Sequence, residues 1–168
     1  MKKILPAFIF FALAQCAFSQ NIRIASSEVS ISDKGDSNEN LTSNNISTKA
    51  FREFKKSFKT VTNEKWFDLT DMVRAKFTLD NISYKVDYDK RGHWLHTIRS
   101  YSEKELNSDV RQQVKMTYFD YAIVLVDEID MPRNQKSYIV HLEGQTNWIN
   151  LRISDGEMDE WQNFKKAQ

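Results

Sequence analysis

Apolar residues first recur at helical spacing after a polar stretch that ends near residue 46. Phe51, Phe54 and Phe58 follow one another at intervals of three and four, with basic residues between them. This pattern predicts an amphipathic helix that begins near Ser47 or Thr48. We expect its phenylalanine stripe to pack on a sheet.

After this helix the spacing of apolar residues changes to two, the period of a half-buried strand. Turn residues Asp80 and Asn81 separate two such runs, and a second turn at 89–92 leads into a third run. The sequence therefore predicts four antiparallel strands after the first helix. They lie at 65–69, 73–79, 82–88 and 94–101.

The same order of elements is predicted for the second half of the chain. Ser102 and Glu105 form a capping box ahead of apolar residues that recur every four positions, which predicts a second helix. Strands are predicted at 121–129, 137–143, 148–154 and 158–164. The predicted fold class is α+β, with two tandem helix-plus-antiparallel-strand (α-β4) units at about 47–101 and 102–164. They are expected to form one curved antiparallel sheet with both helices on one face.

The first 19 residues have the parts of a secretory signal peptide. A charged start is followed by a short apolar run and by small residues at Ala17 and Ser19. The run is about half as long as a membrane-spanning helix, so we expect no transmembrane segment. We expect an exported protein, periplasmic or secreted, that is cleaved after Ser19. The alternative is an outer-membrane lipoprotein anchored through Cys16, although Gln15 replaces the small residue that normally precedes a lipidated cysteine.

Residues 20–46 differ in composition from the rest of the chain. They are rich in serine and asparagine and contain no aromatic residue, so they cannot bury enough apolar surface to offset the entropy of ordering. We expect a flexible polar leader at 20–46 and a folded domain at 47–168.

Composition and charge exclude several classes of function. The 168 residues carry 24 Lys plus Arg against 23 Asp plus Glu, and this balance argues against a nucleic-acid partner. Cys16 is the only cysteine of the sequence. Cleavage of a signal peptide would remove it, together with every thiol-dependent chemistry.

The residue types that commonly serve catalysis or bind metals do not form a recognisable site pattern in the sequence. His93 and His96 are three apart on a predicted strand and point to opposite faces, and His141 stands between apolar neighbours. Three carboxylates at 127–130 would suit an acid–base pair or a cation, but a solvated strand end explains them more simply. We expect no enzyme, no cofactor and no metal site, and a metal-dependent hydrolase is the weakest alternative.

Aromatic and basic residues on the outer face of the sheet predict a contact with another protein. Strand parity turns Trp66 outward, and it turns Trp148 and Arg152 away from the apolar side of their strand. Trp94 and His96 share one side of a strand, and the sequence leaves open which side that is. Tryptophan and arginine are enriched in interface hot spots. The alternative is that these aromatic residues pack on neighbouring strands or cover the second face of the sheet against the N-terminal leader.

Scattered aromatic residues and one turn also carry a family resemblance. The motifs are Phe54-x3-Phe58-x2-Val61-x4-Trp66, Ala75-x-Phe77, Val86-x-Tyr88-Asp89-x2-Gly92 and Tyr138-x-Val140-x-Leu142. Over residues 48–164 the chain resembles the PepSY-like, beta-lactamase-inhibitor-like (BLIP-like) exported proteins of Bacteroidetes. The family usually has a proline where this chain has Lys59.

The resemblance implies a fold like that of the beta-lactamase inhibitor proteins, whose curved sheet face grips a partner. It does not imply that this chain inhibits a beta-lactamase, because one fold serves many functions. We expect a non-enzymatic protein-binding or inhibitor-like module whose partner is another envelope protein or a peptide. The alternative is a structural or chaperone-like periplasmic protein without a discrete site. The sequence leaves the oligomeric state open.

Overall fold

The computed structural model of the chain describes residues 46–167. The predicted signal peptide, and the predicted leader up to residue 45, lie outside the described residues. Ile46, the last residue of that leader, is described and is buried. No helix in the described range is long and apolar enough to cross a membrane.

The helices are α1 (Thr48–Ser57) and α2 (Ser108–Thr117), and the strands are β1 (Lys65–Asp68), β2 (Met72–Leu79), β3 (Ile82–Asp89), β4 (Trp94–Tyr101), β5 (Ala122–Met131), β6 (Gln135–Glu143), β7 (Asn147–Ser154) and β8 (Glu157–Lys165).

The eight strands form one open antiparallel sheet in which each strand pairs with the next along the chain. Two-residue turns make the sharpest connections. Asp80 and Asn81 both have positive φ, as do Asp155 and Gly156. Hairpins with two-residue loops favour this backbone because its twist matches that of the flanking strands. The predicted turn at Asp80 and Asn81 is confirmed, and the fold class is α+β.

Helix α1 packs a slightly different stripe on the sheet from the one predicted. Ala50 and Phe54 are fully buried, and Phe58 packs partly against the same core. Phe51, which the sequence placed in the stripe, is 36% exposed. The buried stripe therefore follows the spacing of four residues, and Phe51 lies at its margin.

Helix α2 begins later than the capping box predicted. Ser102 Oγ donates to the Glu105 carboxylate at 2.7 Å. However, Ser102 precedes a single 3₁₀ turn that ends at Glu105, and this turn is separate from the helix. Asn107 is the true N-cap, because its side-chain oxygen accepts from the backbone N–H groups two and three residues further on. Asparagine is among the best N-cap residues. The helix starts at Ser108 and buries Val114 fully.

Two apolar cores lie on the face of the sheet that carries the helices, called the helix face below. The first core joins α1 to β1, β2 and β3, and the second joins α2 to β4 through β7. Strand register places both on one face. Tyr84 of β3 packs on the first core and lies opposite Arg99 of β4. Tyr101 lies two residues after Arg99 on β4, so it points to the same face, and it belongs to the second core.

A β-bulge between β3 and β4 changes which face the start of β4 presents. Asp87 lies opposite His96, whereas Tyr88 lies opposite Trp94, so Leu95 is an extra residue in the ladder. Such a bulge breaks the simple alternation of side chains along a strand. Trp94 consequently shares the helix face with Tyr88, and His96 points to the other face.

Candidate functional site

The sheet face opposite the two helices is called the open face below. Within residues 46–167 it is covered by neither helix, and cross-strand register shows which residues share it. Its members include Phe67, Arg74, Lys76, Lys85, Asp87, His96, Ile98, Ser100, Leu125, Asp127, Ile129, Ile139, His141, Trp148, Asn150, Arg152 and Phe164.

A buried carboxylate forms the centre of the first polar group on the open face. Arg74 Nε and Nη2 donate to the two oxygens of Asp87 at 2.7 and 2.9 Å, and His96 Nε2 lies 2.8 Å from Asp87 Oδ2. The Asp87 side chain is 0% exposed. Burial raises the pKa of Asp87, but the hydrogen bonds from His96 and Arg74 outweigh burial and hold that pKa below its ordinary value.

A second polar group crosses the open face from β4 to β8. Ser100 Oγ donates to Asp127 Oδ1 at 2.5 Å, and His141 Nε2 lies 3.2 Å from Asp127 Oδ2. His141 Nδ1 lies 2.8 Å from Asn150 Oδ1, and Asn150 Nδ2 donates to Gln162 Oε1 at 2.7 Å. The polar side chains of five consecutive strands are thereby held in one connected arrangement.

Aliphatic side chains lie beside these polar groups on the central strands. Ile98 lies directly opposite Ile129 across β4 and β5, and Leu125 and Ile139 share the same face. All four are partly exposed. An antiparallel sheet face that only met water would be expected to carry polar side chains, whereas the open face carries polar and aliphatic side chains side by side.

Trp66 lies in the first core, and the prediction that it faces outward is wrong. Its side chain is 3% exposed, and its ring centre lies 5.4 Å from that of Phe54 and 6.0 Å from that of Tyr88. Across the β1–β2 ladder Trp66 is opposite Ala75, so the large indole fills the space above a small residue. Phe67 takes the outward position instead.

Trp94 and His96 lie on opposite faces, so the prediction that they share one side is also wrong. The β3–β4 bulge separates them, as described above. Trp94 is 37% exposed at the margin of the helix face, and its Nε1 donates to Thr97 Oγ1 at 3.0 Å. Of this pair only His96 contributes to the open face.

Trp148 and Arg152 share the open face of β7, as the alternation of that strand predicts. Trp148 is partly exposed, and the Lys166 ammonium lies 4.8 Å from its ring centre. Phe164, 51% exposed, is its cross-strand neighbour on β8. Arg152 pairs with Asp159 at 3.0 Å. Their role in binding a partner remains a prediction.

Sequence reasoning missed the contacts between the histidines and the aspartates of the open face. It treated His141 as isolated between apolar neighbours, yet His141 contacts Asp127 and Asn150 across two ladders. Asp87 was not singled out at all. The alternation along β3 could have indicated the role of Asp87, because its neighbours Val86 and Tyr88 are apolar and point to the opposite face. A buried aspartate needs polar partners, and on this strand they have to come from neighbouring strands.

The three carboxylates at 127–130 do not form a solvated strand end. They lie within β5, and Glu128 is 7% exposed on the helix face. Arg99 Nη2 lies 2.7 Å from Glu128 Oε1, Tyr101 donates to Glu128 Oε2, and Lys136 pairs with the same carboxylate. Burial raises the pKa of Glu128, but hydrogen bonds from Lys136 and Tyr101 outweigh it and lower that pKa.

The order of the open-face groups differs from that of a nucleophilic triad. A catalytic serine donates to histidine, and the histidine in turn contacts aspartate. Here Ser100 donates to Asp127, which lies between the serine and His141. The hydroxyl is therefore not held against an imidazole base. Within residues 46–167 no group of three His, Cys, Asp or Glu residues is placed to hold a metal ion.

Solved structures with the same architecture come from Bacteroides species. A BLIP-like protein from Bacteroides fragilis superposes with a TM-score of 0.61 at 18% sequence identity, over 73% of this chain and 89% of that chain. A DUF2874 family protein from Bacteroides ovatus superposes with a TM-score of 0.60 at 15% identity, over 71% and 87%. The chain has the BLIP-like fold.

A proposed periplasmic protein from Bacteroides eggerthii shares the BLIP-like fold with a TM-score of 0.61, at 16% identity over 73% of this chain and 91% of that chain. No protein-family model matches the sequence. No curated protein matches it either. The BLIP-like part of the resemblance is confirmed at the level of the fold, and the PepSY-like part stays a prediction.

Proposed function

We propose that this chain is an exported, non-enzymatic protein-binding module of the cell envelope with an inhibitor-like fold. Its open face contacts the partner, and Trp148 and Arg152 are anchor residues of that contact. The observation that carries the proposal is the composition of the open face, where aliphatic and aromatic side chains lie beside hydrogen-bonded polar groups.

The arrangement of the open face supports this role energetically. Specific interfaces combine an apolar centre with a polar surround, and Ile98 and Ile129 lie between the Asp87 and Asp127 groups. Side chains already held by hydrogen bonds lose little conformational entropy when a partner binds. Arg74 and His96, which are fixed on Asp87, are side chains of this kind.

We further propose that the fold consists of two tandem α-β4 units, at about 47–101 and 102–164, joined in one curved sheet. The order of elements supports the repeat, since each helix is followed by four strands. Each half also has its own apolar core. Bulges bend the strands that carry them, and the ladders show three, between β3 and β4, β5 and β6, and β7 and β8.

Export can be tested by mass. We propose that the chain is a member of the BLIP-like exported family and that residues 1–19 are removed on export. The intact mass of the exported protein should correspond to a chain that begins at Gln20. A chain that begins at Cys16 with added lipid mass would contradict cleavage after Ser19 and favour the outer-membrane lipoprotein.

Partner capture tests the role of the open face. The full exported chain is used to recover a stoichiometric partner from periplasmic extract, and the affinity of the purified pair is then measured. Trp148→Ala should weaken that affinity by about 2 kcal/mol or more, the threshold of a hot spot. Its melting temperature should stay close to that of the wild type, because the ring is partly exposed.

Trp161→Ala is the matched control. Trp161 is 58% exposed and is the extra residue of the β7–β8 bulge, so its truncation should leave partner affinity within about twofold. Equal loss in both variants would contradict the proposed anchor. Failure to recover any stoichiometric partner would favour the structural or chaperone-like alternative. A large fall in melting temperature with full capture would make Trp148 a packing residue.

A further inference from the structure

Strand β8 forms a long edge of the sheet. Within residues 46–167 it pairs with β7 alone, and eight of its nine residues are exposed. The opposite edge, β1, has only four residues. A very short strand is one way in which proteins protect a sheet edge, whereas a long edge offers a row of unpaired backbone groups to another strand. The backbone of β8 can therefore accept a further strand.

Large apolar side chains are also exposed on β8. Trp161 is 58% exposed and Phe164 is 51% exposed. They lie three residues apart on the same edge strand, and apolar groups exposed close together are typical of interaction sites. Pairing with another strand would cover part of this apolar surface.

The charges along the edge are separated by sign. Glu157, Asp159 and Glu160 lie in the first half of β8, whereas Lys165 ends the strand and Lys166 follows it. Charges on an edge usually keep other strands away. A strand that is acidic at one end and basic at the other repels a parallel copy of itself and attracts an antiparallel copy. The charge order of β8 is therefore complementary to itself.

The bulge at Trp161 determines how two copies of β8 can align. Glu157 and Asp159 lie on the open face before the bulge, and Phe164 and Lys166 lie on it after the bulge. Directly opposite residues of an antiparallel pair share a face. The register that obeys this rule and pairs the whole strand places Glu157 opposite Lys166 of the second copy.

The two bulges come together in this register. A bulge normally disturbs the pairing of an edge strand. Here Trp161 of each copy lies opposite Gln162 of the other, at the centre of the pair. The alternation of side chains therefore stays in step on both sides of the centre.

A second charge pair forms on the helix face in the same register. Lys165 becomes a diagonal neighbour of Glu160 of the second copy, at about 7–8 Å, which long side chains can span. Among residues 46–167, Lys165 forms no ion pair, and Glu160 accepts hydrogen bonds from the neutral side chains of Tyr118 and Asn163. Both charges are therefore available to a second copy.

We propose that β8 pairs with β8 of a second copy of this chain and forms a two-fold symmetric dimer. Such an interface uses the same surface of both copies, so each charge pair occurs twice. The sheet continues from one copy into the other, and the two open faces adjoin. This inference goes beyond the proposed function, because it concerns the protein without its partner.

Sedimentation equilibrium of the full exported chain tests the dimer. From about 1 μM to about 1 mM the wild type should change from monomer to dimer. Glu160→Lys and Lys165→Glu each turn both copies of one attractive pair into a repulsive pair. Each variant alone should therefore raise the dimer Kd about tenfold.

Mixing the two variants in equal amounts gives the decisive result. In the mixed dimer each Lys–Lys or Glu–Glu contact is replaced by a Lys–Glu contact, so its Kd should return to within about threefold of the wild-type value. Mixing cannot repair damage inside either chain. A mixture that stays as weakly associated as its components would overturn the proposed register.

Matched charge changes far from β8 provide the control. Asp71→Lys and Lys56→Glu alter exposed residues next to β1 and on α1, and each should leave the dimer Kd within about twofold. Equal weakening by these variants would reduce the effect to net charge and overturn the proposal. A chain that stays monomeric throughout would also overturn it.

Partner capture distinguishes failure of the dimer from failure of the proposed function. A monomeric chain that still captures its partner, and loses it on Trp148→Ala, would leave the proposed function standing. A dimer that follows the charge-swap pattern, combined with failure to recover any partner, would leave the dimer standing alone.

Discussion

Phe54→Ala should lower the free energy of unfolding by about 3–5 kcal/mol. Phe54 is 0% exposed, and its ring lies 5.2 Å from Phe58, 5.4 Å from Trp66 and 5.5 Å from Phe77, measured between ring centres. Its removal leaves a cavity between α1 and the sheet and takes one ring out of an aromatic cluster. Since small domains are stable by only about 5–15 kcal/mol, the loss should be evident in urea unfolding followed by circular dichroism.

Phe119→Ala provides the control for this truncation. Phe119 is 80% exposed, and surface substitutions usually change stability by less than about 0.5 kcal/mol. The two variants remove the same side-chain atoms, one from a buried position and one from an exposed position. Equal unfolding midpoints for both would mean that the Phe54 stripe of α1 does not face the core.

The order of helices and strands could be predicted because the spacing of apolar residues is a local property. The runs at 73–79 and 82–88 each alternate through four apolar residues, and Asp80 and Asn81 tolerate the positive φ that the turn between them needs. Both strands are found within one residue of the predicted bounds. The start of α2 predicted from the capping box at Ser102 is wrong, because the hydrogen bond between Ser102 and Glu105 forms equally well around a single 3₁₀ turn.

The face that each tryptophan occupies could not be predicted where the alternation was short or broken. β1 has only four residues, and both Trp66 and Phe67 are apolar, so parity alone does not decide which is buried. The space above Ala75 on the neighbouring strand decides it. Trp94 was misplaced because a bulge inserts one residue, and the sequence around it carries no mark of that insertion.

The polar groups of the open face depend on contacts between residues far apart in the chain. Asp87 is buried because Arg74 and His96 reach it from both neighbouring strands. Strand parity shows that these three side chains share a face. How deeply each side chain is buried depends on the register of the strands and on the β3–β4 bulge. Strand alternation places Trp148 and Arg152 on this face, and it leaves the side of His96 open. The contacts of the central carboxylates Asp87 and Asp127 are evident only in the structure.

Asp87→Ala should cost about 3–5 kcal/mol of stability, the range expected when one partner of a buried ion pair is removed. The Asp87 side chain is 0% exposed and that of Arg74 is 12% exposed. Truncation removes the bidentate contact that the Arg74 guanidinium makes with Asp87, and it takes from His96 its contact at 2.8 Å. The unfolding midpoint in urea measures this loss.

A second aspartate–arginine pair on the open face supplies the control. Asp159 lies 3.0 Å from Arg152 across β7 and β8, but both side chains are more than half exposed, at 58% and 56%. Exposed ion pairs contribute about 0–1 kcal/mol, so Asp159→Ala should have a small effect. Similar losses in the two variants would contradict the view that burial makes the Asp87 pair important.

The contribution of Asp87 should also depend on pH in a defined direction. Burial raises its pKa, but the hydrogen bonds from His96 and Arg74 outweigh burial, so the folded-state pKa lies below its ordinary value of 3.8. A lowered pKa gives stability that is present above the unfolded-state pKa and is lost as pH falls through the folded-state pKa. The stability difference between the wild type and Asp87→Ala should therefore be full at pH 7 and shrink as the pH falls below about 4, the ordinary pKa of an aspartate. Asp127 and Glu128, whose pKa values are also lowered, are present in both proteins, so their titration largely cancels in the difference. Urea unfolding at four pH values measures it, and a difference that stays constant into acid would mean that the charge of Asp87 does not stabilise the fold.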